Sequence, residues 1–551
     1  RDGLDISGPA AAGHYIFNSE FNFNTDDGIQ AEGASQLRIV KTQTSNNGGH
    51  GGRFVNCTDL QFRRDRLLSD PALPGNVDTS GYGSNSYSSA AMASGNGGDG
   101  LHFENCSPVL AEGTFAANDN DGIHASGCTP VTVNRSTARG NGTDGFHFAE
   151  CQDIQLISPY LYENGGDGCD LLNCTGVGLV DGRYRDNGGR GLRLNAATQI
   201  EVRPTVSDAS HYFSRNEEGD LLIDNGCHDV MVGRLDADDE SLAFWNDGGP
   251  AVEIRGPDIS NISVLDCWFQ IESSSTRDGA PAILLHDVSG FDIGHAQGRF
   301  AHRFVGLAPD RPCIQLSGAC SDIAILGNAI EPDSINDAFL HGVLLDGVID
   351  NVWIEGNIIR ACASHGILAR TAASSNRITR NTIRDCRGDG IRIEGAACVG
   401  NVISANRITG NRLKAVDLVA GGNGEVPVPV VTEVSGTACS GTIHPIPPDG
   451  TRVEVFADPE DEGLRYIGSS DIYGNSFFVT AHMPTGMQVH AVAIYPDGNT
   501  SEYGPMVPAT PSFGVGIVFS NAGAANPDIW FFDVAEGDPR RVTTALSAET
   551  E

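Results

Sequence analysis

The sequence predicts an all-β fold: a right-handed parallel β-helix over residues 1–420, followed by a small β-sandwich over residues 421–510. Three observations predict it. A short motif recurs every 22 to 24 residues along much of the 551-residue chain, and cysteines recur at the same interval. The 69 glycines, with many Asn-Gly and Asp-Gly pairs and few aromatic residues, describe a chain full of turns between β-branched runs.

The clearest rung reads Asp99-Gly100-Leu101-His102-Phe103-Glu104-Asn105-Cys106. Asp121-Gly122-Ile123-His124, Asp144-Gly145-Phe146-His147, Asp167-Gly168-Cys169-Asp170 and Arg190-Gly191-Leu192-Arg193 align with it, and Asp27-Gly28-Ile29-Gln30 and His50-Gly51-Gly52-Arg53 precede it. Fixed self-similarity of this kind marks a solenoid in which each unit buries its apolar face only against its neighbours. Strand alternation turns Leu101 and Phe103 inward and His102 and Glu104 outward. Asn56, Asn105 and Asn173 stand where the strand turns, and asparagine tolerates the left-handed backbone that a corner needs. The pattern weakens between Asp220 and Gly318 and returns at His341-Gly342, His365-Gly366 and Asp389-Gly390. Asp2-Gly3-Leu4-Asp5-Ile6 reads as the middle of a rung, so we expect residues upstream of Arg1.

Of the 14 cysteines, Cys106, Cys128, Cys151 and Cys174 follow one another at 22 or 23 residues, and Cys57 and Cys227 hold similar positions. Adjacent rungs lie ~4.8 Å apart, whereas the Cβ atoms of a disulfide sit about 3.5–4.5 Å apart. Stacked free thiols are therefore expected ahead of disulfides, and structural zinc well behind both.

These rungs resemble the parallel β-helix repeats of the pectin-lyase-like superfamily, over roughly residues 1–420. That resemblance implies a carbohydrate-binding or carbohydrate-modifying protein of extracellular or cell-surface type. It leaves the oligomeric state open, a homotrimer included, and does not select among lyases, hydrolases, epimerases, tailspikes and adhesins. Beyond the break at Gly421-Gly422-Asn423-Gly424, the short alternating strands Val453-Glu454-Val455-Phe456 and Val489-His490-Ala491-Val492-Ala493 lead to Asp497-Gly498-Asn499-Thr500, a segment that resembles the Ig-like modules of bacterial secreted proteins. Residues 511–551, with Asn526-Pro527-Asp528-Ile529-Trp530 and Asp538-Pro539-Arg540-Arg541, resemble the first repeat of a TolB-type β-propeller. One such repeat cannot bury its faces, so a longer parent protein is expected.

A formal charge of −36 excludes electrostatic binding of nucleic acid, which needs clustered Lys and Arg. No stretch reaches the roughly 20 apolar residues of a membrane span.

The outward positions of the best rungs form a stripe of Gln30, Arg53, His102, His124, His147, Asp170 and Arg193, with Glu104 beside it. The leading expectation is polysaccharide binding through Arg53, His102 and Arg193, with Tyr82 and Tyr87 of the long insertion between about Arg63 and Gly98 stacking on sugar rings. An enzymatic alternative, a polysaccharide lyase or glycoside hydrolase, uses His124 or His147 with Asp170 and Glu104, since imidazole and carboxyl groups exchange protons near neutral pH. A third reading makes the array a structural or adhesive module whose histidine ladder is a by-product of the repeat. No cofactor is required by any of these. The Asp-Gly column, with Asp99, Asp121 and Asp144, brings carboxylates close enough for calcium, although turn chemistry accounts for Asp-Gly without a metal. Thr25-Asp26-Asp27 with Gly49-His50-Gly51 resembles part of the polygalacturonase signature, but the Arg-x-Lys partner is absent. The Asp-Pro-His of mannuronan epimerases is not reproduced by Asp-Gly-x-His, and lysine-based alginate-lyase chemistry meets the same shortage, with Lys41 and Lys414 the only lysines.

Overall fold

The structure, a computed structural model, describes residues 1–7, 12–64, 92–204, 211–233, 242–246, 248–271, 280–295, 302–306, 310–332, 338–459, 462–484 and 486–509, and the backbone of 516–520, 529–533 and 539–541. From Leu4 to Val419 every strand pairing is parallel, and the strands form three faces. The first face starts with Leu4–Ser7 and ends with Val416–Val419. The second runs from Tyr15–Phe17 to Val402–Ser404, and the third is a 14-stranded sheet from Gln43–Ser45 to Arg407–Thr409. The strands Ile314–Leu326 and Val343–Glu355 cross the first corner without a break, which joins the first two faces into one continuous sheet.

Inward residues stack on their equivalents one rung away. Tyr184, Phe213, Phe244, Phe269 and Phe304 form a column with ring centroids 4.7–5.0 Å apart, close to the strand spacing itself. All 14 cysteines are buried free thiols. Burial raises the Cys174 thiol to about 11, which keeps it protonated and inert.

The corners are held by buried asparagines. Asn47, Asn96, Asn118, Asn141, Asn164, Asn187 and Asn216 form one ladder in which each Nδ2 donates to the Oδ1 of the next at 2.8–3.0 Å. Asn141 is saturated: its Oδ1 accepts Asn118 N and Nδ2, and its Nδ2 donates to Phe115 O and Asn164 Oδ1. Asn328, Asn357, Asn381 and Asn406 build a second ladder near the other end of the helix. Asn56, Asn105 and Asn173 do adopt the left-handed backbone, with φ of 51°, 51° and 53°. The glycine of the repeated Asp-Gly is set by close approach, since a Cβ on Gly145 would stand 2.5 Å from Gly168 O.

The weakening of the sequence pattern after Asp220 is a change of period rather than a break. Leu221, Val252, Ile283 and Ile314 succeed one another in register at intervals of 31 residues. The extra residues lie between strands, so a search at 22 to 24 residues passes over rungs that are present.

Residues Val430–Pro508 form two antiparallel sheets of three and four strands around Val431, Val453, Val455, Phe477, Val479 and Val489. This sandwich closes the C-terminal end of the solenoid. Amides of the last rung, which have no further rung to pair with, donate to its side chains: Ile403 N to Thr500 Oγ1, Ala405 N to Glu454 Oε2, Asn411 N to Glu462 Oε1 and Leu418 N to Glu502 Oε1, all at 2.8–2.9 Å. Tyr503 packs on the helix core beneath them. Beyond the sandwich, Gly516–Ser520, Ile529–Asp533 and Pro539–Arg541 form a three-stranded antiparallel sheet.

Replacing Asn141 with Ala removes two accepted and two donated hydrogen bonds from a dry corner. Chemical denaturation should show a loss of roughly 2–3 kcal/mol, with the solvent-facing substitution Thr132→Ala as a near-neutral control.

Candidate functional site

The stripe is built by register. Arg53, His102, His124, His147, Asp170 and Arg193 are Cα partners on consecutive strands of the first face, all pointing outward between buried neighbours. Because the strands are one rung apart, the imidazoles stack: His102 on His124 at 4.8 Å and His124 on His147 at 4.9 Å, with ring planes within 15°. A fourth ring joins from the neighbouring column, since His50 lies 4.7 Å from His102. The sequence placed His50 in the Asp-Gly column, and the signal for its role was its occupation of an aspartate's position.

The aspartate column runs beside the rings and divides its two oxygens between two tasks. Oδ1 of Asp99, Asp121, Asp144 and Asp167 accepts the amide of the next rung, at 3.1, 2.9, 2.6 and 2.6 Å. Oδ2 faces the imidazoles: His102 Nδ1 is 2.8 Å from Asp99, and His124 Nδ1 is 3.1 Å from Asp121. His147 Nδ1 lies between two carboxylates, 3.4 Å from Asp144 Oδ2 and 3.2 Å from Asp170 Oδ2. Hydrogen bonds to Asp144 and then Asp170 outweigh burial and raise His147 to about 10, so it is a cation at neutral pH. Burial pushes Asp99 upward, but its hydrogen bonds with His102 and His50 prevail and hold the carboxyl far below its ordinary range. Asp167 has no imidazole partner among the described residues. Burial, with repulsion from Asp144 and Asp170, raises it to about 7 against the Arg190 amide.

Beyond Arg193 the stripe changes character. The next outward partners are Leu222, Glu253 and Leu284, and Leu222 is buried. Arg190 Nη2 reaches Glu253 Oε2 at 2.5 Å in a buried ion pair that closes this end of the polar row. Glu104 occupies the adjacent outward column, in register with Val55 and Ser126. Tyr82 and Tyr87 lie outside the described residues. A shorter row recurs near the C-terminal end, where His341 stacks on His365 at 5.4 Å and His365 Nδ1 is 3.1 Å from Asp389 Oδ2.

For a metal, three sets in the row bring ligand atoms within 4.8 Å of one another: His50, Asp99 and His102; Asp99, Asp121 and His124; and Asp144, His147 and Asp170. Each mixes imidazole with carboxylate, and each carboxylate of the Asp-Gly column has already given one oxygen to a backbone amide. Calcium prefers six to eight oxygens, whereas a nitrogen and oxygen set suits a transition metal. The acidic group Asp2, Asp26 and Asp27 lies at the first rungs.

His147→Gln leaves Asp144 and Asp170 facing each other without a cation. The native state holds the His147 proton between the ordinary value of 6.5 and about 10, so the stability it supplies is complete below pH 6.5 and is lost as pH rises towards 10. Thermal melts of wild type and variant should differ most at pH 6, by roughly 1–3 kcal/mol, and converge above pH 10.

Residues 78–206 and 310–431 match the family model described as right handed beta helix region. No curated protein matches the chain. Among solved structures it is similar to ORF18 of Geobacillus virus E2, at 13% identity over 81% of this chain and 78% of that one, with a TM-score of 0.29. It is also similar to the AlgE6 A-module of the mannuronan C-5 epimerase of Azotobacter vinelandii, at 12% identity over 74% of this chain and 89% of that one, TM-score 0.32. The tailspike protein gp49 of Pseudomonas phage LKA1 matches at 10% identity over 86% of this chain and 67% of that one, TM-score 0.26. The family match identifies the repeat over residues 78–206 and 310–431 as the right-handed β-helix.

Proposed function

We propose that the protein is an extracellular or cell-surface β-helix protein that binds polysaccharide along the stripe from Arg53 to Arg193. The observation that carries this reading is the row of stacked imidazoles, 19–26% exposed and repeating at 4.7–4.9 Å on a carboxylate rail. A linear row of polar groups at a fixed step suits a linear, repeating, hydroxyl-rich ligand. The ring faces offer stacking, Nε2 atoms offer hydrogen bonds, and Arg53 and Arg193 place a cation at each end. No helix among the described residues is long and apolar enough to cross a membrane.

One observation favours catalysis as a second reading. His147 at about 10 is protonated at neutral pH and Asp167 at about 7 exchanges its proton there, and displaced groups of this kind are candidates for general acids. In that reading Asp170 positions His147, and His124 and Glu104 contact the substrate. Calcium on Asp99, Asp121 and Asp144 would compete with the imidazoles for their Oδ2 atoms.

A panel of polysaccharides incubated with the full chain separates the readings. Retention without turnover supports binding, and new reducing ends or unsaturated uronates support an enzyme. The double variant His124→Ala/His147→Ala should weaken retention about tenfold or more, equivalent to ~1.4 kcal/mol. Undiminished retention in that variant would falsify the role of the stripe. Added calcium should raise the melting temperature of the wild type if the carboxylate column takes it up.

A further inference from the structure

We propose that a second site, a pocket between the last rungs of the helix and the sandwich, binds an anionic sugar residue. Its floor is the outer side of the second face. Trp353 and Arg377 are register partners on consecutive strands, as are Glu355 and Thr379, with Ser404 on the strand that follows. Its wall is Arg452, from the sandwich strand Arg452–Asp458. The half-open cleft measures about 240 Å³.

Three features of this pocket have no structural task. Trp353 is a large aromatic residue left 46% exposed, on a face whose other residues do not cover it. The Arg377 guanidinium lies 5.6 Å from the centre of the Trp353 ring and makes no ion pair among the described residues. Three guanidinium groups, Arg377, Arg380 and Arg452, meet only two carboxylates, Glu355 and Glu454, in a chain whose formal charge is −36. Glu454 is moreover committed to the junction: it accepts Ser404 Oγ at 2.6 Å and Ala405 N at 2.9 Å. Arg380, paired with Glu355 at 2.6 Å, keeps 72% of its side chain exposed.

An indole face beside a free, stacked guanidinium is a recognition surface for a ring with an apolar face and an exocyclic oxyanion. The C–H face of a pyranose packs on the indole, and the planar guanidinium fork receives a carboxylate or sulfate with two donors. The local excess of positive charge opposes the chain's formal charge of −36 and draws anions to this place. The sandwich is part of the site because Arg452 closes it.

Isothermal titration of the full chain with oligogalacturonate, its neutral methyl ester and a sulfated galactan oligosaccharide tests the proposal. Binding of the carboxylated or the sulfated probe, weakened by salt, with at least a tenfold preference over the neutral ester, is expected, and the better of the two anions names the source. Arg377→Gln/Arg380→Gln and Trp353→Ala should each cut that binding tenfold or more. All three positions are on the surface, and an unchanged melting temperature verifies folding. His124→Ala/His147→Ala should leave this binding component in place, which separates it from the stripe. Equal affinity for the neutral ester, no binding by any probe, or binding that survives the arginine and tryptophan variants overturns the proposal, as does complete loss in the histidine variant.

Discussion

The structure depends on one constraint: each rung must sit on the next in a single register, ~4.8 Å away, through corners that are sealed from water. Corners expose backbone amides and carbonyls that strand pairing does not reach, and burying them unpaired is costly. The asparagine ladders resolve this, because an amide side chain offers two donors and an acceptor with two lone pairs, and Asn141 uses all four. A ladder that is saturated only at one register penalises every slip, which a column of aliphatic side chains does not. The Phe stack, the thiol column and the imidazole stack all inherit their spacing from it.

That inheritance explains why ladders alone say little about function. A repeat that stacks aspartates for turn purposes stacks whatever follows three residues later as well. What distinguishes the stripe is the positions where the repeat is broken. Asp170 takes a histidine's place and gives His147 a second carboxylate, and His50 takes an aspartate's place and adds a fourth ring. The same replacement leaves Asp167, on the rung of Asp170, without an imidazole, and its carboxyl is driven upward by burial and by Asp144 and Asp170. His147 and Asp167, both raised, lie at one end of the row, beside the buried Arg190–Glu253 pair that closes it, and Asp99, held low by His102 and His50, lies towards the other.

Much of this was legible in the sequence, for a physical reason. Columns at a constant interval project directly onto neighbouring rungs, so the outward direction of His102, His124, His147 and Asp170 and the buried thiols follow from spacing and alternation alone. The asparagine ladder was equally periodic, but Asn-Gly is also the signature of an ordinary turn, and composition does not reveal that Asn96, Asn118 and Asn141 point inward. The middle rungs escaped because their interval lengthens to 31 residues while their strands keep register. The cap escaped because Glu454, Glu462, Thr500 and Glu502 follow no interval.

The ends of a solenoid obey different physics from its middle. An interior rung is completed by copies of itself, so its chemistry is repetitive and its surface is a flat row. The last rung must be completed by something unlike itself, and here the sandwich supplies carboxylates and a hydroxyl to amides that a further rung would have taken. Joining two unlike surfaces leaves a re-entrant angle, and concavity is what the flat row lacks. Such a junction brings together side chains about 100 residues apart, Trp353 and Arg452, that no repeat correlates. The row offers many weak, equivalent contacts to a long polymer, and the junction offers a few unequal ones to a single residue of it. A chain with both can hold a polymer along its length and read its charge at one point.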